Sequence, residues 1–252
     1  MGLLGFFPVF VRLLAFFYFD PLLGGRRIPA QLKVGLALVM GYALALVLPA
    51  PRFSPDMEFV GLMAGILGEV MVGLAMGYMV RLVFAGIEMA GQIMGFQMGF
   101  GIINVLDPVQ DVQVSLLGQF YDFLAVMILL SLNAHHVLIR AIVKSFEVVP
   151  VMGFSGFSPG FPDFLIRHSA QMLVLALTIA APGMVALFLT NGALGIMART
   201  FPQMNLFVVG FPITITVGIF VVMASFPLYG DVFSKAFNWG WSGVEGVLAY
   251  MG

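Results

Sequence analysis

The chain has 252 residues, 61% hydrophobic and 9% charged, with a mean hydropathy of +1.07; an ordinary soluble domain carries roughly 25% charge, so a soluble fold is excluded and the composition is that of an integral membrane protein. Eleven basic and twelve acidic residues leave a net charge of −1, which speaks against nucleic-acid binding and against a polybasic lipid-binding tail. Cysteine is absent, which removes disulfides, thiolate chemistry and cysteine-held metals.

Leu3 to Phe19 and Leu32 to Leu48 are two short apolar segments of 17 residues each, at the lower limit for crossing a hydrocarbon layer about 30 Å thick. The first contains Arg12 and ends in Asp20-Pro21 with no small-residue cleavage pattern, so it is expected to be retained rather than cleaved as a signal peptide. The intervening turn carries Arg26, Arg27 and Lys33, and the positive-inside rule places it in the cytoplasm with the N-terminus outside. Pro49 to Glu58 then fits the outer side.

Phe59 to Val80 reads as a packing helix, because Gly61, Gly65, Glu69, Gly73 and Gly77 fall at steps of four. A row of small residues admits a neighbouring helix closely. Arg81 is expected to end this helix, and Leu82 to Gly99 to form a second one with Glu88 and Gln92 one turn apart. The next stretch abandons helix: Gly91, Gly95, Gly99 and Gly101 loosen it and Asp107-Pro108 breaks it. Non-helical backbone in hydrocarbon is tolerated only where protein buries it or where it lines a water-filled path. Gly95 to Asp107 is therefore expected to line or close a pore, although a plain loop at a membrane surface has the same composition. Met89, Met94 and Met98 lie beside it; adaptable thioethers there suit either a helix core or a seal against varied polypeptides.

Val112 to Leu132 is a further apolar helix with Asp122 inside it. Asn133 to Val149 is amphipathic, with Leu138, Ile142, Phe146 and Val149 on one face and His136, Arg140, Lys144 and Glu147 on the other. Pro150 to Asp163 is rich in Pro, Gly and Ser and marks the boundary between two parts of the chain. Beyond it come two apolar arms, Ser169 to Ala198 and Leu206 to Phe226, joined by a turn with Arg199 and Gln203 at its tip. The first arm would run about 45 Å as helix, longer than the hydrocarbon layer. Pro182-Gly183 and Pro212 are expected to bend the arms, and Pro227 to Gly252, around Trp239 and Trp241, to lie at an interface.

The total is about six to eight helices, and Glu69, Glu88, Asp122 and Asp107 would each cost about 2.5–3.5 kcal/mol or more facing lipid. Most helices are thus expected to meet protein. His135, His136 and His168 form no zinc-binding pattern, the glycine-rich runs are not phosphate-binding loops, and no set of side chains has the spacing of an active site. No catalytic residue, cofactor or metal is expected, and the carboxyls suit hydrogen bonding between helices at least as well as a proton relay.

Four blocks, RIPAQLKVGLALVMG, GQIMGFQMGFGIINVLDP, NAHHVLIRAI and PGMVALFLTNGALGIMARTFPQMNLFVVGFPI, occur in an order that resembles the FliR family of flagellar biosynthetic proteins and its type III secretion counterparts. The resemblance runs from about Leu3 to Phe226 and implies an all-α membrane protein, its helical hairpins packed into a hetero-oligomeric export gate. It implies a FliP-like part over 1–149, a linker over 150–163, and a FliQ-like hairpin with the C-terminal interfacial segment over 164–252. It further implies assembly with FliP-like and FliQ-like subunits, contact with FlhB-like and FlhA-like export components and with membrane lipid, unfolded secreted proteins as substrate, and a place in the bacterial inner membrane at the flagellar basal body. The family's plug maps onto Gly95, Phe96, Met98, Gly99, Phe100, Gly101, Ile102, Ile103, Asn104, Val105 and Asp107, and its cytoplasmic hairpin tip onto Arg199 and Gln203. A secondary transporter with a broken-helix site is the alternative; the single break and the scarcity of polar groups speak against it.

Overall fold

The computed structural model describes residues 3–19, 29–48, 59–101, 115–201, 203 and 205–252. Among them the regular structure is all helix: α1 Leu3–Phe19, α2 Ala30–Val47, α3 Phe59–Gln97, α4 Leu116–Ser131, α5 Ala134–Val148, α6 Phe161–Thr200 and α7 Leu206–Ala249. Four of them, α2, α3, α6 and α7, are long and apolar enough to cross a membrane, and α4 with α5 adds a fifth if that bent pair is one span. The chain is an all-α membrane protein.

Two expected boundaries are not observed. Arg81 does not end a helix; α3 runs unbroken for 39 residues through it, because arginine is a good helix former and the apolar positions continue on both sides. Nor does the chain leave helix after Phe226, since α7 extends for 44 residues through Pro212 and Pro227, and α6 for 40 residues through Pro182. Each internal proline removes one intrahelical hydrogen bond without ending the helix. At 1.5 Å per residue α6 and α7 are about 60 and 66 Å long, roughly twice a hydrocarbon layer.

The residues form two compact units. The first comprises Met1–Val83, Leu129–Ser169 and Phe237–Gly252. Its core joins Val9, Leu13 and Phe16 of α1 with Val72, Met76 and Met79 of α3, Ile142 and Phe146 of α5, and Val247 of α7. Helices approach closely where glycine allows: a Cβ at Gly73 would lie 2.8 Å from that of Ala15, one at Gly77 2.8 Å from the Phe16 carbonyl, and one at Gly41 of α2 3.4 Å from the Phe10 backbone. Asn133, in the left-handed region at φ 54°, turns the chain between α4 and α5 by 77°. Beyond it α5 buries Ala141, Ile142, Ser145 and Phe146 and exposes His136, Arg140, Lys144 and Glu147. Lys144 meets Glu245 of α7 at 2.7 Å.

At the centre of this unit Arg12 and Glu69 are both fully buried and paired, Nε to Oε2 at 2.5 Å. The guanidinium also donates to the Ser145 carbonyl at 2.9 Å, to Ser145 Oγ at 3.2 Å and to the Val149 carbonyl at 3.0 Å, and lies 4.1 Å over the Phe146 ring. Those carbonyls end α5, where a positive charge suits the helix dipole. The second carboxylate oxygen of Glu69 accepts the Met152 N–H at 2.7 Å, in a turn closed by Gly153 N–H on the Pro150 carbonyl with Met152 at φ 62°. The two charges are therefore paired and hydrogen-bonded inside the chain, and Glu69 needs no neighbouring subunit to neutralise it.

The second unit comprises Phe84–Ile128 and Ala170–Ala236. Its core is built on Phe84, Ile87, Ala90 and Met94 of α3 with Met98 just after it, Tyr121 and Ala125 of α4, Ala176, Ala180 and Leu187 of α6, and Phe233 of α7. Here α3 and α4 touch backbone to backbone: a Cβ at Gly91 would stand 2.5 Å from the Leu117 carbonyl and 2.8 Å from the Gly118 Cα. Ser115 begins α4 by accepting the Gly118 N–H on its hydroxyl at 3.1 Å.

Removing the Glu69 carboxylate strands a buried guanidinium, so Glu69→Ala should destabilise the protein by about 3–5 kcal/mol, and the apolar double change Arg12→Met/Glu69→Met by much less; thermal unfolding of the detergent-purified protein measures the difference. Gly73→Ala should cost about 1–3 kcal/mol through overpacking, whereas Gly35→Ala, where nothing lies within 4 Å, should be neutral or stabilising in the same assay.

Candidate functional site

The interruption that the glycine spacing announces begins within the second unit. The last turn of α3 closes with the Gly99 N–H on the Phe96 carbonyl at 3.1 Å and the Phe100 N–H on the Gly95 carbonyl at 3.0 Å, and Gly99 takes φ +95°. This is a Schellman ending, which satisfies carbonyls that a terminating helix leaves open and needs glycine where φ is positive. Gly99 answers a second demand: an ideal Cβ there would lie 2.5 Å from the Phe211 ring of α7.

The Met98 carbonyl is met from outside the helix. Met98 is fully buried, and the Thr214 hydroxyl of α7 donates to its carbonyl at 3.1 Å, sharing its proton with the Phe211 carbonyl at 3.2 Å. Leaving such a buried acceptor unmade costs about 1–3 kcal/mol. The terminal turn thus ends as a docked structure.

The methionines of this turn face inward. Met94 packs over Gly183 of α6, its sulfur 2.8 Å from where a Cβ would be, and Met98 packs over Gly218 of α7 at a corresponding 2.5 Å. The Tyr121 hydroxyl donates to the Met94 sulfur at 3.4 Å and lies 2.5 Å from the Tyr229 hydroxyl, with the two rings edge-on at 5.4 Å. Phe96 faces the other way and is 77% exposed.

The remaining candidate residues have varied surroundings. Phe100 and Gly101 are part-exposed, and the Phe96 ring lies 3.0 Å from where a Cβ of Gly101 would be. Ile102, Ile103, Asn104, Val105 and Asp107 lie outside the described residues. Gly65 is covered by Met152, Gly73 and Gly77 by α1, and Gly61 is part-exposed. Arg199 and Gln203 are both exposed. Among the described residues no group of three His, Cys, Asp or Glu is placed to hold a metal, and the His135 and His136 rings lie 4.2 Å apart, tilted by 40°. The arrangement is mechanical: it stops a helix and fastens its end.

Sequence reasoning did not find Arg12 as the partner of Glu69, nor Thr214, Phe211 and the tyrosine pair as holders of the α3 end. Opposite charges in two apolar helices were a signal for the first. Thr214, inside the run ITITV, carried none.

Replacing Gly99 by Ala forces a side chain into the left-handed region, at about 1–2 kcal/mol, and into the Phe211 ring. The Gly99 and Phe100 amides should then lose protection, which hydrogen exchange of the assembled protein reads directly; unchanged protection would show that the turn does not depend on glycine.

The sequence of the whole chain matches known proteins. A family model described as bacterial export proteins, family 1, covers residues 3–239. The flagellar biosynthetic protein FliR of Bacillus subtilis (strain 168) is 35% identical over 249 residues, which is 98% of this chain and 95% of that protein. The FliR of Escherichia coli (strain K12) is 34% identical over 237 residues, 92% and 89% of the two chains. That of Aquifex aeolicus (strain VF5) is 27% identical over 229 residues, 91% and 88%. With these matches and its apolar helices, the chain is a membrane-embedded component of the flagellar export apparatus. It belongs to family 1 of the bacterial export proteins.

Proposed function

We propose that the chain is a subunit of the flagellar type III secretion export gate in the bacterial inner membrane, and that Gly95 to Asp107 is the plug of its channel. The carrying observation is the ending of α3: a helix in apolar surroundings stops at Gly99 with its last carbonyls satisfied by a Schellman turn and by Thr214. Backbone that leaves helix at such a place is suited to lining a path through protein. Closure is then steric and hydrophobic. Phe96, Phe100 and the apolar residues after Gly101 exclude water and ions until an unfolded export substrate displaces them, and no covalent chemistry is asked of this chain.

The long helices support assembly with further subunits. Exposed apolar side chains on α6 run from Ile166 through Leu173, Val185 and Phe188 to Ile196. That face is about 45 Å long, beyond the thickness of the hydrocarbon layer, so protein must cover part of it. FliP-like and FliQ-like subunits are the proposed neighbours, with the FliP-like part over 1–149, the linker over 150–163 and the FliQ-like hairpin from 164 onward. The tip at Arg199 and Gln203 faces the cytoplasm in this reading, toward FlhA-like and FlhB-like components.

Deleting Gly99 to Val105 should leave assembly largely intact and make membranes containing the complex leaky to ions, as conductance measurements would record. An assembled complex with unchanged conductance would mean that the loop is not the seal. Recovery of a folded, solute-transporting protein without partner subunits would favour a secondary transporter instead.

A further inference from the structure

The backbone at the end of α3 is met by one turn of α7, while the Met98 side chain packs further along that helix over Gly218. Phe211 lies against the Gly99 backbone, Thr214 donates to the Met98 carbonyl, and Pro212 sits between them in the sequence. A proline inside a helix has no N–H to give, so the carbonyl four residues earlier, that of Val208, lacks its helical donor. The turn of α7 that carries both contacts is thereby the one relieved of a hydrogen bond. Thr216 Oγ1 returns a bond to the Pro212 carbonyl at 2.6 Å, so the polar groups of that turn are held by hydroxyls rather than by the helix ladder alone. Hydroxyl bonds of this kind bend helices, and proline is the commonest site of a helix kink.

We propose that Thr214 and Phe211 form a latch: they fasten the terminal turn of α3, Met98 to Gly101, and bending of α7 at Pro212 withdraws both at once and releases that turn. The latch rests on the gate reading for its use, but its geometry does not. Thr214 acts here as a positioning residue, through a carbonyl whose alternative is to remain buried without a partner. Phe211 acts through shape, filling the space that glycine leaves at position 99. Both contacts belong to one turn of one helix, so a movement of that turn acts on the two together. The hairpin and the end of α3 are therefore coupled without any intermediate element.

The chain has no cysteine, so Phe100→Cys introduces a single thiol on the fastened turn. In the assembled complex, Thr214→Val should raise its labelling rate by a membrane-impermeant maleimide about tenfold, as expected for one lost buried hydrogen bond. Thr214→Ser, which keeps the hydroxyl, should label like the parent. Ion conductance measured on membranes carrying the same Thr214 changes with Phe100 intact should rise with Thr214→Val and not with Thr214→Ser. Unchanged labelling in Thr214→Val overturns the latch whatever the conductance. Raised labelling with unchanged conductance, while deletion of Gly99 to Val105 does leak, removes the latch from control of the seal. If the deletion fails to leak as well, it is the gate reading that fails. Should Thr214→Val not assemble, Phe211→Leu, which keeps the apolar contact but shortens it, must raise labelling in its place; parent-like labelling there also overturns the proposal.

Discussion

In apolar surroundings a backbone N–H, a carbonyl or a charge has no water to fall back on, and each must be matched by another group of the protein. That constraint explains why helix is the regular structure here and why the departures from it carry so much of the interest. Seven helices among the described residues satisfy most of their own ladders, short of the bonds that internal prolines remove. The end of α3, the end of α5, and Arg12 and Glu69 inside α1 and α3 draw on partners elsewhere in the chain. Each is answered by a specific partner, and those partners hold the two units in shape.

In the first unit one arginine does most of this. Arg12 neutralises Glu69, caps two carbonyls of α5 and stacks over Phe146, while Glu69 secures the turn at Met152. A buried ion pair contributes little net stability, since desolvation offsets attraction. It bears on register: an arrangement of α1, α3 and α5 that parts Arg12 from Glu69 leaves a buried charge unpaired. In the second unit the same logic works with neutral groups. A threonine hydroxyl, a glycine at positive φ and a tyrosine pair settle where α3 stops and what touches its end.

Glycine has three different uses along α3. Gly73 and Gly77 let α1 approach, Gly91 lets α4 approach, and Gly99 turns the chain. The first two uses fasten the helix, and the last turns the chain at its end. Met94 and Met98 face inward, each filling the space over a glycine of the opposite helix, whereas Phe96 faces outward and is exposed.

Composition and periodicity determined a good deal. The apolar runs of α1 and α2, the amphipathic α5 and the glycine-marked end of α3 are all legible, because each rests on a local rule of helix burial or backbone freedom. The order of four sequence blocks was enough to suggest the family. Helix lengths were not legible where a local rule was overruled: Arg81 resembles a membrane-edge charge and Pro227 a helix breaker, yet packing along α3 and α7 carries helix through both. Partnerships were decided by the tertiary structure alone. That Arg12 reaches Glu69 and Ser145, 57 and 133 residues away, or that Thr214 reaches Met98 across 116, is a result of where helices cross, and a crossing is fixed by the shapes of two surfaces together, of which a single stretch of sequence describes only one.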